Sequence, residues 1–347
     1  MDNMKNTKFI RKLPVPKDIK AQYPLSEEAT AKKEIRDKEI EKVFKGESDK
    51  LVLVIGPCSA DKPEPVLEYI HRLAEVQKEV EDKILIIPRI YTGKPRTTGE
   101  GYKGIASQPD PEKAPDMIAG LISVRKMHLR AIAESELTPA DEMLYPENWE
   151  YVSDLLSYVA IGARSVEDQQ HRLTVSGFDV ASGMKNPTSG DFSVMLNSVY
   201  AAQHPHHFTF RGYEVDTTGN DLTHVILRGA VSKHGNTVQN YHYEDIMRLI
   251  DMYDKMELVN PAAIIDANHS NSGKKYEQQV RIVKEVMHNR QISPEIRKLV
   301  KGVMIESYLE PGCQKIGEHI YGKSITDPCL GWAESEQLIY DIAERCN

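Results

Sequence analysis

Eight short apolar segments of the sequence each end in a side chain that can ionise or bind a metal. These side chains are Cys58, Arg89, Glu142, Arg164, Lys185, Arg228, His269 and Glu306. A single charged residue after an apolar segment usually starts a solvated loop. Eight of them need another explanation, because burying like charges without partners is costly. We therefore expect the eight side chains to converge on one site.

Five cations form the first part of this set. They are Arg89, Arg164, Lys185 and Arg228, together with Lys94 just beyond the second segment. Guanidinium groups bind phosphate and carboxylate oxygens through two parallel hydrogen bonds. The cluster therefore indicates a ligand with several negative charges at one end, such as a phosphorylated carboxylic acid.

The second part of the set is a mixture of sulfur, nitrogen and oxygen donors. Cys58, His269 and Glu306 belong to it, and Asp327 joins them from the loop after the eighth segment. Such a set suits a divalent transition metal that keeps a position open for a substrate carbonyl or water. The spacing is not a local metal motif, so the prediction of a metal site depends on the fold.

The elements that must position these residues alternate between apolar and amphipathic segments. The apolar segments span 51–58, 84–90, 137–143, 158–164, 179–185, 223–229, 262–269 and 301–307. Helical patterns occupy 66–80, 116–135, 148–156, 167–175, 192–202, 243–256, 275–289 and 334–345. Eight strands alternating with eight helices predict an α/β fold of the (β/α)8 TIM-barrel type. In such barrels the active site lies at the carboxyl ends of the strands.

Two additions to the barrel are predicted. Residues 1–48 are polar and contain several prolines, and we expect them to form an N-terminal extension with a helix at 27–44. We expect this extension to act as an oligomer contact or regulatory arm. Residues 49–347 form the catalytic barrel domain. The segment HHFTFRGYEVDTT (206–218) predicts a β-hairpin inserted before the sixth strand.

Composition excludes several other classes of protein. A net charge of -8 argues against a nucleic-acid surface, and no apolar run approaches the ~18 residues that a membrane span needs. Four scattered cysteines and an N-terminus without a secretory signal indicate a reducing, cytoplasmic environment. The segment GEGYKG (99–104) fits a dinucleotide-binding pattern. It does not join a strand to a helix, so we interpret it as a loop.

Several segments together identify a known family. They are VIGPCS, KPRTT, AIGARS, GMKN, HVILRG, NHSNSGKK, MIES and YGKSITDPCLGW. From about residue 51 to residue 332 the chain resembles the class I 3-deoxy-D-arabino-heptulosonate-7-phosphate (DAHP) synthases of the phenylalanine-, tyrosine- or tryptophan-sensitive type. The resemblance implies a condensation of phosphoenolpyruvate with erythrose 4-phosphate and water. It also implies a homodimer or homotetramer and one divalent ion, with Mn²⁺ ahead of Co²⁺, Fe²⁺ or Zn²⁺.

The resemblance assigns a role to each site residue. The metal ligands would be Cys58, His269, Glu306 and Asp327. The phosphoenolpyruvate site would comprise Arg89, Lys94, Glu142, Arg164, Lys185 and Arg228. The acceptor loop would be Lys94, Pro95, Arg96 and Thr97, with Arg96 and Thr97 on the phosphate. The chemistry would involve Lys94 as a proton donor to the new alkoxide and Glu142 as the residue that orients or deprotonates water, beside His269 and Asp327. Independently of the resemblance, Cys329 lies two residues after Asp327 and is expected near Cys58, so we predict a Cys58–Cys329 disulfide when the metal-free protein is oxidised; the alternative is a buried, inert Cys329.

The sequence departs from the family pattern near the effector site of the feedback-regulated members. The hairpin is shorter, and bulky or charged residues stand where small or polar ones are expected. These residues are Trp149, Phe178, Asp179, Phe208 and Phe210. We therefore expect weak inhibition, or none, by phenylalanine, tyrosine or tryptophan.

Three alternatives remain open from sequence. The first is 3-deoxy-octulosonate-phosphate synthesis from arabinose 5-phosphate, although that enzyme carries a KANR-like loop in place of the KPRT segment. The second is a nicotinamide oxidoreductase that uses GEGYKG (99–104). The third is a non-catalytic binder of phosphorylated metabolites.

Overall fold

Eight parallel strands form the centre of the computed structural model, which describes residues 4–96 and 98–346. They span Leu51–Gly56, Ile84–Pro88, Ala140–Glu142, Tyr158–Ile161, Ala181–Lys185, Thr223–Leu227, Ala263–Asp266 and Val300–Glu306. We number them as barrel strands 1 to 8. Strand 1 pairs with strands 2 and 8, and each later strand pairs with its neighbour in the chain. A parallel bridge between Arg89 and Ala140 joins strand 2 to strand 3 and closes the ring. The predicted barrel is confirmed.

Helices cover the outside of the barrel. They span Pro63–Val80, Met117–Ser135, Gln169–Val175, Phe192–Gln203, Tyr243–Tyr253, Gln278–Ile292, Pro294–Leu299 and Trp332–Arg345. Aspartates begin three of them: the side chains of Asp116, Asp168 and Asp191 accept hydrogen bonds from backbone N–H groups of the first turn.

The connection between strands 3 and 4 differs from the prediction. A helix was expected at 148–156, whereas the structure has a 3₁₀ helix at Pro146–Tyr151 followed by turns. Pro146 starts the helix early, because its fixed φ suits the first helical position. The chain then reaches strand 4 at Tyr158 through turns.

The N-terminal extension closes the base of the barrel. It contains the helix Pro16–Gln22, which the sequence pattern did not predict, and the helix Glu27–Phe44, which it did. Ile40, Val43 and Phe44 of the second helix are buried in one core cluster with the strand 1 residue Val52. The Phe44 ring stacks on His224 of strand 6 with centroids 4.1 Å apart. The helix Glu27–Phe44 therefore forms the floor of the barrel.

The predicted hairpin is present before strand 6. His207–Phe210 pairs with Tyr213–Asp216 in antiparallel fashion, and Arg211 and Gly212 make the turn with positive φ. Two more small sheets lie in the loops that follow strands 6 and 8: Ala230–Val231 with Thr237–Val238, and Glu310–Cys313 with Lys323–Ser324. Of the helices described here, not one has the length and apolar character needed to cross a bilayer.

Candidate active site

A cleft of about 380 Å³ opens at the carboxyl ends of the barrel strands. Seven of the eight strand-end side chains named from sequence line it. They are Cys58, Arg89, Glu142, Arg164, Lys185, Arg228 and His269. Glu306, the eighth, is fully buried, with its Oε1 2.9 Å from the Arg89 guanidinium. Lys94, Pro95, Arg96 and Asp327 complete the lining from loops. The structure therefore brings the predicted residues together.

Four residues at the cleft form a group of metal-binding donors. Single donor atoms of Cys58, Glu306 and Asp327 all lie within 4.8 Å of one another. His269 adjoins them, because its Nε2 is 3.7 Å from Glu306 Oε1. Its Nδ1 lies 2.7 Å from Asp266 Oδ2, which directs Nε2 towards the other donors. This sulfur, nitrogen and oxygen set fits a divalent transition metal.

Lys94 supplies positive charge to the same donors. Its Nζ is 2.7 Å from Cys58 Sγ and 3.1 Å from Asp327 Oδ2. Burial opposes the charge of Lys94, but the neighbouring Cys58 sulfur and the Asp327 and Glu306 carboxylates together outweigh burial and raise the Lys94 pKa. Burial, followed by Glu306, raises the pKa of the Cys58 thiol. The side chains of Cys58, Asp327 and Glu306 therefore form a site that stabilises a positive charge.

The anion-binding residues adjoin this donor group. Lys185 donates to Glu142 Oε2 at 2.8 Å, and both side chains are buried. Burial by itself would raise the pKa of Glu142, but Lys185, with Arg89 and His269, together more than offset it and hold that pKa below its ordinary value. The Arg89 guanidinium donates to the Pro57 carbonyl and lies 3.8 Å from the centre of the Tyr91 ring. Arg228 Nη1 is buried and meets no acceptor within the described ranges, so it is free to bind an anion.

Gly162 makes room for the Glu142 carboxylate. A Cβ atom at position 162 would lie only 2.8 Å from Glu142 Oε1. The glycine of the AIGARS segment is therefore needed for space directly beside the Lys185–Glu142 pair.

The loop after strand 2 forms the edge of the cleft. Lys94 N donates to Lys103 O at 3.0 Å, and Arg96 Nε donates to Tyr102 O at 2.8 Å. Thr97, predicted to bind phosphate, lies outside the described residues. The GEGYKG segment (99–104) is the returning half of this loop and does not join a strand to a helix, as predicted.

A family model described as the DAHP synthetase I family matches residues 22–339. The chain belongs to this family. A member from Haemophilus influenzae, named phospho-2-dehydro-3-deoxyheptonate aldolase, is 36% identical over 330 residues, which cover 93% of this chain and 88% of that protein. The Escherichia coli K12 protein, named as Phe-sensitive, is 36% identical over 345 residues, which cover 97% and 95%.

A solved structure from the DAHP synthetase I family has the same fold. The phospho-2-dehydro-3-deoxyheptonate aldolase of Francisella tularensis SCHU S4 superposes with a TM-score of 0.90 at 32% identity. The match covers 99% of this chain and 98% of that one. The likeness therefore extends over the N-terminal helices as well as the barrel.

Four residues of the site were not found from sequence. Asp266 orients His269, Asn268 Nδ2 donates to Glu306 Oε2, and Lys274 Nζ lies 3.4 Å from Asp327 Oδ1. Gln279 holds the backbone of Glu306 through two hydrogen bonds of 2.9 Å. Asn268 and Lys274 both stand in the matched segment NHSNSGKK, which was the available signal for them.

The residues of the proposed altered effector site divide into separate groups. Trp149 stacks on buried Phe178 with centroids 3.9 Å apart, and Phe208 and Phe210 are 6.4 Å apart on the hairpin. Asp179 is exposed and borders a depression at the helix Glu27–Phe44. Phe208 and Phe210 are therefore half-buried on the hairpin, the Trp149–Phe178 stack lies apart from them in the chain, and Asp179 faces the N-terminal helix.

Cys329 lies beside Cys58. Cys329 is fully buried, and the backbone N–H of Cys58 is directed at its thiol. Both cysteines are free thiols in the structure. Their proximity is compatible with the predicted disulfide, which stays a prediction.

Proposed function

We propose that this protein is a DAHP synthase. It would join phosphoenolpyruvate to erythrose 4-phosphate with addition of water, release phosphate, and carry out the first step of the shikimate pathway. One observation carries the proposal: the anion-binding residues and the Cys/His/Glu/Asp donor group adjoin each other at one cleft, where the Arg89 guanidinium lies 2.9 Å from Glu306 Oε1. The names of the family relatives support it.

The anion-binding residues would hold phosphoenolpyruvate. Arg89, Lys185 and Arg228 project from or just beyond three different strands, and Arg164 adds a cation at the exposed rim. Their guanidinium and ammonium groups would bind the phosphate and carboxylate of phosphoenolpyruvate and turn its methylene carbon towards the metal-binding donor group. Pro95, Arg96 and Thr97 would hold the phosphate end of the acceptor.

Cys58, His269, Glu306 and Asp327 would hold one divalent ion, Mn²⁺ in the first place. When bound, such an ion polarises the aldehyde oxygen of the acceptor as a Lewis acid. The chain's own residues would do the remaining work. Lys94, whose raised pKa keeps it protonated, would donate a proton to the new alkoxide. Glu142 would orient the water that adds to the former enol carbon before phosphate leaves by C–O cleavage.

A phosphate-release assay tests this proposal. Both substrates together should release phosphate, a chelator should stop the release, and added Mn²⁺ should restore it. Arabinose 5-phosphate serves as the matched acceptor control, and we expect little or no turnover with it. Faster turnover with arabinose 5-phosphate would favour octulosonate-phosphate synthesis, and binding without release would favour a non-catalytic role.

The oligomeric state and the cellular location belong to the same proposal. We expect a homodimer or homotetramer in which the extension 1–48 contacts another subunit, and a cytoplasmic location. Exposed apolar residues of the extension, among them Phe9 and Ile10, support the first expectation. Light scattering of the intact chain and of a Phe9→Ser/Ile10→Ser variant measures it, and an unchanged mass would contradict the role of the arm.

A further inference from the structure

A buried polar network lies directly behind the active-site wall. Asp141 precedes Glu142 on strand 3 and is 5% exposed. Its Oδ1 accepts from the Thr92 N–H at 2.9 Å and from the Glu142 N–H at 2.7 Å. Its Oδ2 accepts from the Thr92 hydroxyl and lies 3.3 Å from Nε2 of fully buried His128. One carboxylate thus connects three segments of the chain.

The position of this carboxylate is unusual for a barrel. Successive side chains of a strand face opposite sides, so Glu142 faces the cleft while Asp141 faces the helix Met117–Ser135, which carries His128. Apolar residues normally fill the layer between a barrel strand and its helix. Burying a carboxylate and an imidazole there costs stability, and His128 Nδ1 finds no partner in the part of the chain that the structure describes. Barrel packing alone does not explain this pair.

Thr92, which the network holds, is the root of the acceptor loop. Its carbonyl accepts from Ala106 N at 3.1 Å, and two residues further on Lys94 N donates to Lys103 O at 3.0 Å. Thr92 is therefore the point from which the loop bearing Lys94 and Arg96 departs and to which it returns. A shift at Thr92 moves both of these cations relative to the barrel strands.

Close packing also holds the base of the loop. A Cβ atom at position 93 would lie 3.2 Å from the Leu144 side chain, and one at position 104 would lie 2.3 Å from the Thr92 carbonyl oxygen. A cavity of about 50 Å³ remains beside this contact, bordered by Thr92 and Asp141 among others. The hydrogen bonds from Thr92 to Asp141 join this packed base to strand 3.

We propose that Asp141, held by His128, is a positioning residue that fixes the Lys94 loop relative to Glu142. The Lys94 loop and strand 3 are separate segments, and Asp141 Oδ1 accepts a hydrogen bond from one residue of each, Thr92 and Glu142. The network thereby sets the distance between the acceptor on the loop and the phosphoenolpyruvate on the strands. This inference rests on the proposed function.

Thr92→Val tests the proposal, because it removes the hydroxyl and keeps the side-chain shape. We expect the KM for erythrose 4-phosphate to rise about tenfold and kcat to fall, as for loss of one hydrogen bond to a charged group. The KM for phosphoenolpyruvate should change less, since Arg89, Lys185 and Arg228 are anchored at the strand ends. Thr92→Ser should restore both values, and His128→Leu should shift them in the same direction by a smaller factor.

Thr138→Val is the matched control. Thr138 is fully buried just before strand 3, and its hydroxyl meets no partner among the described residues. Its kinetics should equal those of the wild type. Equal changes in both KM values, a lower melting temperature with unchanged kinetics, or failure of Thr92→Val and His128→Leu to fold while Thr138→Val folds would each overturn the proposal. An inactive wild-type protein would instead contradict the proposed function.

Discussion

Replacing Gly162 by alanine tests how closely the position of the Glu142 carboxylate controls turnover. The added Cβ would stand 2.8 Å from Glu142 Oε1, whereas ordinary contacts begin near 3.4 Å. The carboxylate must therefore retreat by about 0.6 Å. Gly162 is not among the residues with positive φ, so alanine adds no backbone strain there. The substitution acts on Glu142 alone.

The size of the effect follows from the bond to Lys185. Stretching that contact from 2.8 Å to about 3.4 Å at an effective dielectric constant of ~20 weakens the attraction by about 1 kcal/mol. That loss corresponds to about a fivefold lower rate. A misplacement of ~1 Å at a reacting group costs about a hundredfold. We expect kcat to fall by a factor between these two values.

Steady-state phosphate release at saturating substrates measures the effect of Gly162→Ala. The control is Gly177→Ala, where the new Cβ would lie 3.0 Å from the Thr217 side chain and 3.6 Å from the Thr174 carbonyl oxygen, and neither residue lines the cleft. We expect the control to keep wild-type kcat. Wild-type kcat in Gly162→Ala would refute the reasoning, because the carboxylate would then move without consequence for the reaction.

Four further predictions concern the general acid, the two cysteines, the metal and regulation. Lys94→Ala should lower kcat by about 10²–10⁴, as expected for loss of a positioned proton donor, and full turnover would exclude that role. Metal-free protein exposed to oxidant should form a Cys58–Cys329 disulfide, whereas two free thiols by intact-mass analysis would refute the pairing. Cys58→Ala should show no Mn²⁺-dependent phosphate release, since a thiolate ligand is lost. Phenylalanine, tyrosine and tryptophan should each leave the initial rate unchanged, and strong inhibition by any of them at low concentration would reject the prediction of an altered effector site.

The barrel was predictable because its strands are short apolar segments separated by amphipathic ones. The residue at which each strand ends was less predictable, because it depends on the backbone conformation of the residues that follow. The seventh segment was expected to run over 262–269 but ends as a strand at Asp266, and His269 has a φ of 52°. A left-handed residue cannot continue a strand. Nothing in the local sequence pattern indicates that conformation at a histidine.

The residue types of the site were also predictable, but their partners were not. Contacts such as Lys94 with Asp327 join residues 233 positions apart, and a sequence pattern does not show which ends of which loops meet. Asp141 illustrates the limit most clearly. In the sequence it is one of two adjacent acidic residues in the segment LTPADEM (137–143), whereas in the structure it is buried with four polar contacts. Single-sequence periodicity gives no sign of such a network.

The helix that forms the barrel floor has a consequence for the order of folding. Glu27–Phe44 leaves the ribosome before any barrel strand, yet Phe44 rests on His224, which is made 180 residues later. Contacts of such large sequence separation form slowly. Part of the apolar side of the helix therefore stays exposed until strand 6 has been made. Exposed apolar surface at this stage makes a nascent chain prone to aggregation. Shortening the chain from its N-terminus beyond Ser26 would therefore damage the barrel itself.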